Sequence, residues 1–282
     1  ERGAALLCYA AERGVNFVDT AEYYHTYPPI ARALRAHPEL IVCTKSYAWN
    51  RETAMASVRQ AQELLGRSYI DIFMMHEQES IHTLRGHEEA LRYYQQCQRE
   101  GTIGAVGIST HHIAAVRAAI WFGGIDIIFP ILNVRGLGIA DGTREEMEQA
   151  IQAAHDAGVG ILAMKALGGG HMLADREHAF SYIRSLTSID AVAVGMQSEA
   201  EIDYNAAIFS GRTPSDDAAR DSASAPRKMQ IADWCEGCGR CVRRCGQHAL
   251  SIQNKRAVVE ETLCVRCGYC AAVCPQFCIK II

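Results

Sequence analysis

The stretch VNFVDT, residues 15–20, is the first of seven short apolar runs that together decide the fold. Each run is nearly continuous in Val, Ile and Leu, which is typical of strands buried on both faces of a parallel sheet. The segments between the runs carry helical periodicity, as in 52–66 and 144–158. The other six runs are LIVCTK (40–45), DIFMMH (71–76), AVGIST (105–110), IIFPILN (127–133), GILAMK (160–165) and AVAVGM (191–196).

Most of these runs end in a polar or small residue, and the ends recur about every 30 residues, the length of one βα unit. Seven units that begin with a helix predict a (β/α)8 TIM barrel whose first strand is missing from this chain and lay upstream of Glu1. The alternative is an open doubly wound sheet. That fold normally has a Gly-rich turn after its first strand, and none is present. The end residues are Asp19, Lys45, His76, Ser109, Asn133, Lys165 and Gly195.

Composition places the chain among globular proteins. Of its 282 residues, 49% are hydrophobic and 21% are charged, so a sizeable core can form. The net charge of −4 argues against a nucleic-acid binder, and no apolar run is long enough to predict a membrane span. The first helix lacks the charged segment and cleavage site of a signal peptide, and reduced thiols are needed downstream. The expected location is therefore the cytoplasm.

The chain divides at a segment that is poor in large side chains. Residues 212–228 contain no aliphatic residue larger than Ala and are rich in Ser, Asp and Pro, as in a linker. We therefore expect a barrel over residues 1–211 and a second, small domain over residues 229–282.

Eight of the 12 cysteines lie in the second domain, in two copies of one motif that are offset by 29 residues. Three thiolates at this spacing hold three corners of a 4Fe-4S cluster, and in two-cluster ferredoxins the fourth ligand comes from the other repeat. A zinc ribbon lacks the third regularly spaced Cys, and the cytosol opposes a disulfide knot. The predicted ligands are Cys235, Cys238, Cys241 and Cys274 for one cluster, and Cys264, Cys267, Cys270 and Cys245 for the second.

This tail resembles the bacterial 2[4Fe-4S] ferredoxin family, which implies a small α+β domain. It departs from the family at Gly246, where Pro often follows the fourth Cys. Cys278 falls at the repeat position of Ala249 and is interpreted as a small core residue. Seven basic against four acidic residues in the tail are explained as compensation for two clusters that together carry about −4.

Asp19, Lys45 and His76 end three successive strands, which is where a parallel barrel places its chemistry. Tyr24 follows five residues after Asp19, close enough to fold over the same mouth. A Tyr hydroxyl has an ordinary pKa of about 10, and an adjacent Lys ammonium is expected to lower it. Singly, these residues can be explained as a helix cap, a rim charge or a core histidine, but four at compatible positions favour a site.

Over residues 1–211 the chain resembles the aldo-keto reductase family, through GVNFVDTAEYY, CTKS, DIFMMHE, GTIGAVGIST, MKALGGG and GMQSEAEIDYN. The resemblance implies reduction of a carbonyl by hydride from NAD(H) or NADP(H), with Tyr24 as general acid beside Asp19, Lys45 and His76. It also implies the following coenzyme contacts: Ser109 at the nicotinamide amide; Leu167, Gly168 and Gly169 at the pyrophosphate; Gly195, Gln197 and Ser198 at the adenosine end; Asn205 at the adenine; and Lys165 and Glu201 beside them.

Three positions depart from the family pattern. Phe129 stands where a Gln is often found, and Met164 stands where an aromatic residue stacks on the nicotinamide. Glu201 stands where an Arg commonly clamps the 2′-phosphate. A carboxylate there repels phosphate and accepts from a ribose hydroxyl, so NADH is expected to bind more tightly than NADPH.

The sequence therefore predicts an iron-sulfur oxidoreductase that reduces a carbonyl or oxidises an alcohol, with electrons exchanged through two 4Fe-4S clusters. Its expected partners are a small-molecule carbonyl or alcohol and a redox partner protein. The combination resembles a subgroup of bacterial aldo-keto reductases that carry a C-terminal iron-sulfur domain. The alternative is an electron-carrier or scaffold protein whose barrel is catalytically inactive.

Overall fold

Seven parallel strands form the larger part of the molecule, seen in a computed structural model that describes residues 1–224, 227–264, 266 and 269–281. Neighbours in the sheet follow chain order and every pairing is parallel, as in the register of Asp19 with Cys43 and of Lys45 with Met74. This order confirms the barrel and rules out the doubly wound alternative, whose strand order reverses at a switch point. The strands are β1 (Phe17–Asp19), β2 (Ile41–Ser46), β3 (Ile70–Met75), β4 (Ile103–Thr110), β5 (Ile127–Pro130), β6 (Gly160–Met164) and β7 (Ala191–Ala193).

The ring is nearly closed. The first and last strands, β1 and β7, approach each other but do not pair within the described residues. A complete barrel of this type has eight strands, so the observed seven match the prediction of a barrel that lacks one.

Helices cover the outside of the sheet. The helix after β2 shows how its sequence sets its limits: Asn50 accepts a hydrogen bond from Thr53 N at its start, and Gly66 ends it in the left-handed conformation. The helices are α1 (Arg2–Ala11), α2 (Tyr27–Leu34), α3 (Arg51–Leu65), α4 (Ile81–Gly86), α5 (Glu88–Arg99), α6 (Ile113–Phe122), α7 (Arg144–Asp156), α8 (Arg176–Ser185) and α9 (Glu199–Phe209).

Alternation along the strands creates two apolar layers. Val42, Phe73 and Ile128 are fully buried on the outer face, against the helices. On the inner face, the barrel is filled by Cys43, Ile72, Met74, Phe129 and Leu162. Because side chains alternate along a strand, the same inward rows place Lys45 and His76 at the barrel mouth.

A helix lies in the segment that was predicted to be only a linker. Residues Asp216–Ser224 form α10, which packs on α9 and receives Arg176 hydrogen bonds at Ser222 Oγ (2.7 Å) and Ala219 O (2.8 Å). The prediction missed this helix because it relied on the lack of large aliphatic residues. Ala favours a helix, and acidic residues in the first turn stabilise its start.

The C-terminal part consists of two interleaved copies of a strand-helix-strand unit. The first antiparallel pair joins a strand from each copy, and so does the second, which gives the pseudo-two-fold pairing that the 29-residue offset predicts. The elements are β8 (Met229–Ile231), α11 (Arg240–Arg244) and β9 (Leu250–Gln253) in the first copy, and β10 (Arg256–Val259), α12 (Tyr269–Ala272) and β11 (Ile279–Ile281) in the second.

The last strand, β11, rests on the mouth of the barrel. His171 Nε2 lies 3.0 Å from Ile279 O, and Phe277 is 2% exposed within the main core of the barrel. The ring of Phe277 lies edge-on to that of His111, with 6.0 Å between the centroids. None of the described helices is both long and apolar enough to cross a bilayer.

Candidate active site and cluster site

The four residues of the predicted tetrad come together at the mouth. Asp19 ends β1, Lys45 lies near the end of β2, and His76 follows β3 directly. Tyr24 lies in the 3₁₀ turn Glu22–Tyr24 that follows β1 and turns back over the same opening. Chain order therefore places the four side chains on three neighbouring strands and one loop.

Lys45 and Asp19 form an ion pair at the bottom of the mouth. The ammonium also donates to Thr20 O at 2.7 Å, and Lys45 is only 2% exposed. Burial raises the pKa of Asp19, and the Lys45 charge opposes that rise. The ammonium lies 5.5 Å from the centroid of the Tyr24 ring. A fixed positive charge thus lies beneath the phenol.

The hydroxyl of Tyr24 lies above this pair, 3.4 Å from His76 Nε2. The pKa of Tyr24 is raised, first by burial and then by the Asp19 carboxylate. The expectation that Lys45 lowers this pKa is therefore wrong, because the Lys45 ammonium bonds to Asp19 and Thr20 rather than to the phenol oxygen. The Tyr24 hydroxyl remains protonated at neutral pH.

His76 is held neutral. Burial, followed by the Lys45 charge, lowers its pKa to about 3. Its backbone N–H donates to Ser46 O at 2.9 Å, and its buried Nδ1 has no hydrogen-bond partner among the described residues. The ring nitrogen that can form a hydrogen bond with Tyr24 is therefore Nε2.

Two further side chains shape the mouth and were not identified from the sequence. The Tyr47 ring lies 4.5 Å from that of His76, and its hydroxyl donates to Glu77 Oε2 at 2.6 Å. Tyr47 comes one residue after the end of β2 and Glu77 two residues after the end of β3, and this position was the available signal. They form the wall against which a substrate would lie.

The sulfurs of the first predicted cluster set lie near one another. Burial, then the charges of Cys274, Cys235 and Cys238, raise the pKa of Cys241. Although burial acts in the opposite direction, amide hydrogen bonds from Ala257 and Gly237 leave the pKa of Cys235 lowered.

Backbone amides also point at these sulfurs. Ala257 N lies 3.4 Å from Cys235 Sγ, and Cys278 N lies 3.4 Å from Cys274 Sγ. Hydrogen bonds to the sulfurs are a usual feature of cluster sites. The donor set and its amides therefore fit a 4Fe-4S cluster.

The second predicted set is only partly described. Cys270 is buried, Cys264 is half-buried, and Cys245 Sγ accepts from Ala249 N at 3.4 Å. Cys267 lies outside the described residues, so this ligand set stays a prediction.

Cys278 is buried, as expected of a core residue, with 1% of its surface exposed. Its Sγ lies 3.3 Å from Cys274 Sγ, and burial is the main cause of its raised pKa. It remains a thiol behind the cluster set.

Comparisons with known proteins support both the barrel and the C-terminal iron-sulfur domain. The sequence model of the aldo/keto reductase family matches residues 1–185. The chain belongs to the aldo/keto reductase family. The model of the 4Fe-4S dicluster domain matches residues 227–275. The barrel of this aldo/keto reductase is thus followed by an iron-sulfur domain.

Solved aldo/keto reductases share the barrel fold. One from Bacillus halodurans has a TM-score of 0.61 at 20% identity, covering 78% of this chain and 84% of its own. Another, from Brucella melitensis, has a TM-score of 0.59 at 17% identity, covering 79% of this chain and 89% of its own.

Two curated proteins match less than a fifth of the chain. Ferredoxin-2 of Chlorobaculum tepidum is 39% identical over 56 residues, which cover 18% of this chain and 90% of the ferredoxin. A component of the ion-translocating oxidoreductase complex from Methanosarcina acetivorans is 34% identical over 47 residues. That match spans 18% of the component and 17% of this aldo/keto reductase.

The nicotinamide coenzyme of the family would pass along a glycine turn that is covered here. A Cβ added to Gly170 would lie 2.0 Å from Ile281 O, and one added to Gly169 would lie 3.3 Å from the Phe277 ring. The turn, which holds the predicted contacts Leu167, Gly168 and Gly169, therefore faces β11 rather than open space. A dinucleotide at this turn would have to share it with β11.

The predicted adenosine contacts bond mainly to one another. Glu201 Oε2 accepts from Gln197 N at 2.7 Å, and Ser198 Oγ accepts from Glu201 N at 3.3 Å. The predicted adenine contact, Asn205, is 8% exposed, and Gly195 has open space around it.

The prediction that Glu201 presents a free carboxylate is wrong. Glu201 is 7% exposed and forms an ion pair with Arg227. The pairing was not visible in the sequence because Arg227 lies in the segment that was interpreted as a linker. Since the charge is neutralised, Glu201 gives no reason to expect a preference for NADH over NADPH.

At the nicotinamide end, Ser109 is 1% exposed and its Oγ accepts from Glu77 N at 2.9 Å. Lys165 follows β6 and lies at the mouth, and the expected Gln position holds the buried ring of Phe129, 5.1 Å from the Lys45 ammonium. Phe129 fills the barrel top with an apolar ring instead of an amide.

Two surface grooves lie away from this mouth. One of about 640 Å³ is lined by Arg85, Arg117 and Trp121, on the outer surface near α4 and α6. It shares no residue with the catalytic mouth, where the charged and aromatic side chains converge.

Proposed function

We propose that this aldo/keto reductase is an iron-sulfur oxidoreductase that reduces a carbonyl or oxidises an alcohol, with electrons exchanged through two 4Fe-4S clusters. The observation that carries the proposal is the Tyr24 hydroxyl, placed beside His76 and above the Lys45–Asp19 pair. This arrangement supplies the proton and the charge that a carbonyl oxygen needs as it becomes an alcohol.

Tyr24 is the proton donor in this proposal. Its raised pKa keeps the hydroxyl protonated, and proton transfer to the carbonyl oxygen leaves a phenolate. The Lys45 ammonium, held by Asp19 and by Thr20 O, lies close enough to stabilise that negative charge. In the oxidation direction the phenolate takes the proton back.

His76 orients the oxygen. Because Nδ1 has no partner, we assign the ring proton to Nε2, which donates to the Tyr24 oxygen and to an incoming carbonyl oxygen. This tautomer leaves the Tyr24 proton free for the substrate. A neutral imidazole keeps this role across the neutral pH range because its pKa is about 3.

The residues of the C-terminal part would hold the clusters, with Cys235, Cys238, Cys241 and Cys274 at the first. When bound, each cluster would give or accept one electron, and a carbonyl takes two electrons and two protons to become an alcohol, with the proton on oxygen coming from Tyr24 and the proton on carbon from solvent water. Phe277, in the barrel core, lies one residue from Cys278, which contacts the ligand Cys274. The electron path from the clusters to the barrel is therefore short.

The proposal assigns a small-molecule carbonyl or alcohol as substrate and a protein that exchanges electrons with the clusters as partner. It places the molecule in the cytoplasm, where thiols remain reduced. It routes no step through nicotinamide, because β11 packs on the glycine turn that the resemblance assigns to the pyrophosphate of the coenzyme.

A second candidate function is an electron carrier or scaffold whose barrel is catalytically inactive. The contact of β11 with the glycine turn favours this candidate, since the resemblance assigns that turn to the coenzyme. The two candidates differ in what the holoprotein does to carbonyl compounds.

Substitution of Tyr24 by Phe, with Tyr23→Phe as its control, separates the candidates. Both changes remove one phenol oxygen, but Tyr23 is 62% exposed and its ring contacts Tyr47 rather than His76. With anaerobically purified holoprotein and reduced methyl viologen as donor, Tyr24→Phe should lower kcat for aldehydes and ketones by about 10²- to 10⁴-fold. Tyr23→Phe should change it less than about threefold, more than an order of magnitude below the predicted loss.

Full activity in the Tyr24→Phe protein would reject the tetrad. Rapid reduction of the clusters by the donor, with no carbonyl turnover in any variant, would establish the carrier instead.

A further inference from the structure

Two lysines, one from each part of the chain, face the catalytic mouth. Lys165 directly follows β6 with φ of 61°, a left-handed conformation that side-chain-bearing residues seldom adopt and that often marks functional positions. A hydrogen bond of 2.7 Å from Gly168 N to Lys165 O closes this turn. Lys280, Asp19, Lys45 and Glu77 lie close enough for their charges to act on the Lys165 ammonium.

The second lysine, Lys280, comes from β11. Its Cγ lies 3.5 Å from the place where a Cβ on Gly169 would be, and its ammonium lies 4.7 Å from the centroid of the Trp234 ring. The Glu77 charge acts on it as well. The docking of β11 thus adds a cation to the rim of the barrel.

Neither ammonium has an anionic partner within the part of the chain that the structure describes. Lys45, in contrast, is paired with Asp19. The mouth contains three ammonium groups against the carboxylates of Asp19 and Glu77, and His76 and His111 add no charge because burial lowers the pKa of each to about 3. One positive charge is in excess, and a partly buried charge without a partner is costly.

We propose that Lys165 and Lys280 bind a carboxylate of the substrate, so that the site acts on carbonyl compounds that carry an acid group. One excess positive charge matches a monoanion, whereas a phosphate monoester carries about −1.5 to −2 at pH 7. The substrate class rests on the proposed function, but the binding of the anion does not. The pocket is complete only when the iron-sulfur domain is docked.

Calorimetric titration with oxamate, a monoanion with an unreactive carbonyl, tests the site without turnover. The expected result is that Lys165→Met and Lys280→Met each raise the Kd for oxamate at least tenfold in the full-length holoprotein. The control is Lys228→Met, which removes the same charge from an exposed position just before β8 and should leave the Kd within twofold.

Several outcomes would overturn the proposal. They are an oxamate Kd unchanged in Lys280→Met, tighter binding of inorganic phosphate than of oxamate, or no oxamate binding to the unmutated protein. Loss of NADH binding in Lys280→Met without loss of oxamate binding would assign the lysines to a nucleotide. A shifted cluster potential with unchanged oxamate binding would make Lys280 a counter-ion of the cluster.

Steady-state turnover provides a second test of the anion site. With reduced methyl viologen, kcat/KM for pyruvate should exceed that for methyl pyruvate at least tenfold, and Lys280→Met should bring the ratio to within threefold of one. A ratio near one in the unmutated protein would contradict the proposal. If neither compound is reduced, the proposed function fails, while the oxamate titration still decides whether the anion site exists.

Discussion

His76 shows how one buried side chain links the chemistry of the site to the stability of the fold. It is 6% exposed, and its pKa of about 3 lies well below the ordinary value of about 6.5. Its position on the inward row of β3, one residue after the strand ends, sets both its burial and its distance from Tyr24. A neutral ring is therefore part of the folded state.

The free energy of unfolding should fall as the pH is lowered through about 6.5, since the unfolded chain takes up a proton on His76 that the folded chain does not. The contribution is about 1.4 kcal/mol per pH unit between 6.5 and the folded pKa. Chemical denaturation of the His76→Gln holoprotein at several pH values should give a correspondingly shallower dependence on pH.

The exposed His82 supplies the control, because His82→Gln removes a histidine and leaves the cluster contribution unchanged. Equal slopes for the unmutated protein and His76→Gln would contradict a buried neutral His76.

At the scale of elements, the contact between β11 and the glycine turn determines which parts of the mouth are open. The turn has three successive residues with positive φ, Gly168, Gly169 and Gly170. Phe277 and Ile281 lie against this glycine surface, where no side chains intervene. The same contact packs β11 on the glycine turn and brings Lys280 close to Gly169.

Gly170→Ala should undock the iron-sulfur domain, because the added Cβ would lie 2.0 Å from Ile281 O. Gly158→Ala is the matched control: φ is 86° there and 91° at Gly170, but no atom lies within 4 Å of its Cβ position. Both variants therefore carry similar backbone strain, and only one carries the clash, an overpacking cost of about 1–3 kcal/mol.

Limited proteolysis of the holoproteins should separate the two parts of the chain faster in Gly170→Ala than in Gly158→Ala. Equal rates of separation would mean that β11 does not depend on the turn for docking.

The sequence was sufficient for the strands and much of the site, for reasons visible in single elements. Near-continuous apolar runs and period-two alternation locate β2 and β3, and so place Lys45 and His76 at one mouth. The 29-residue offset likewise predicts the pairing of β8 with β11. Such features are local or repeated, so they can be recognised in the sequence alone.

Contacts between segments that are distant along the chain could not be predicted from the sequence. The Glu201–Arg227 pair, the raised pKa of Tyr24 and the position of Lys280 each depend on how separate segments pack. Helix α10 was missed for a different reason, since its short polar and Ala-rich sequence resembles a linker. Burial decides the direction of a pKa shift, and burial is a property of the folded chain.

On the scale of the whole molecule, the barrel and the iron-sulfur domain share one site. In the proposed mechanism the barrel supplies the acid and its supporting charges, and the domain supplies Phe277, Lys280 and the cysteines beside them. The proposed function requires that the clusters communicate with the mouth, whereas the anion site requires only that the iron-sulfur domain is docked. Without that connection the barrel and the iron-sulfur domain would function independently.

Reoxidation of the reduced clusters by a carbonyl compound tests this connection most directly. Holoprotein with about eight irons and eight sulfides per chain, the content of two clusters, is reduced anaerobically and freed of reductant. Its visible absorbance is then followed after addition of pyruvate and a panel of neutral aldehydes and ketones. The account predicts that at least one compound reoxidises the clusters of the unmutated and Tyr23→Phe proteins, and that Tyr24→Phe slows this by about 10²-fold or more. Clusters that stay reduced with every compound, or that reoxidise equally fast in Tyr24→Phe, would contradict it.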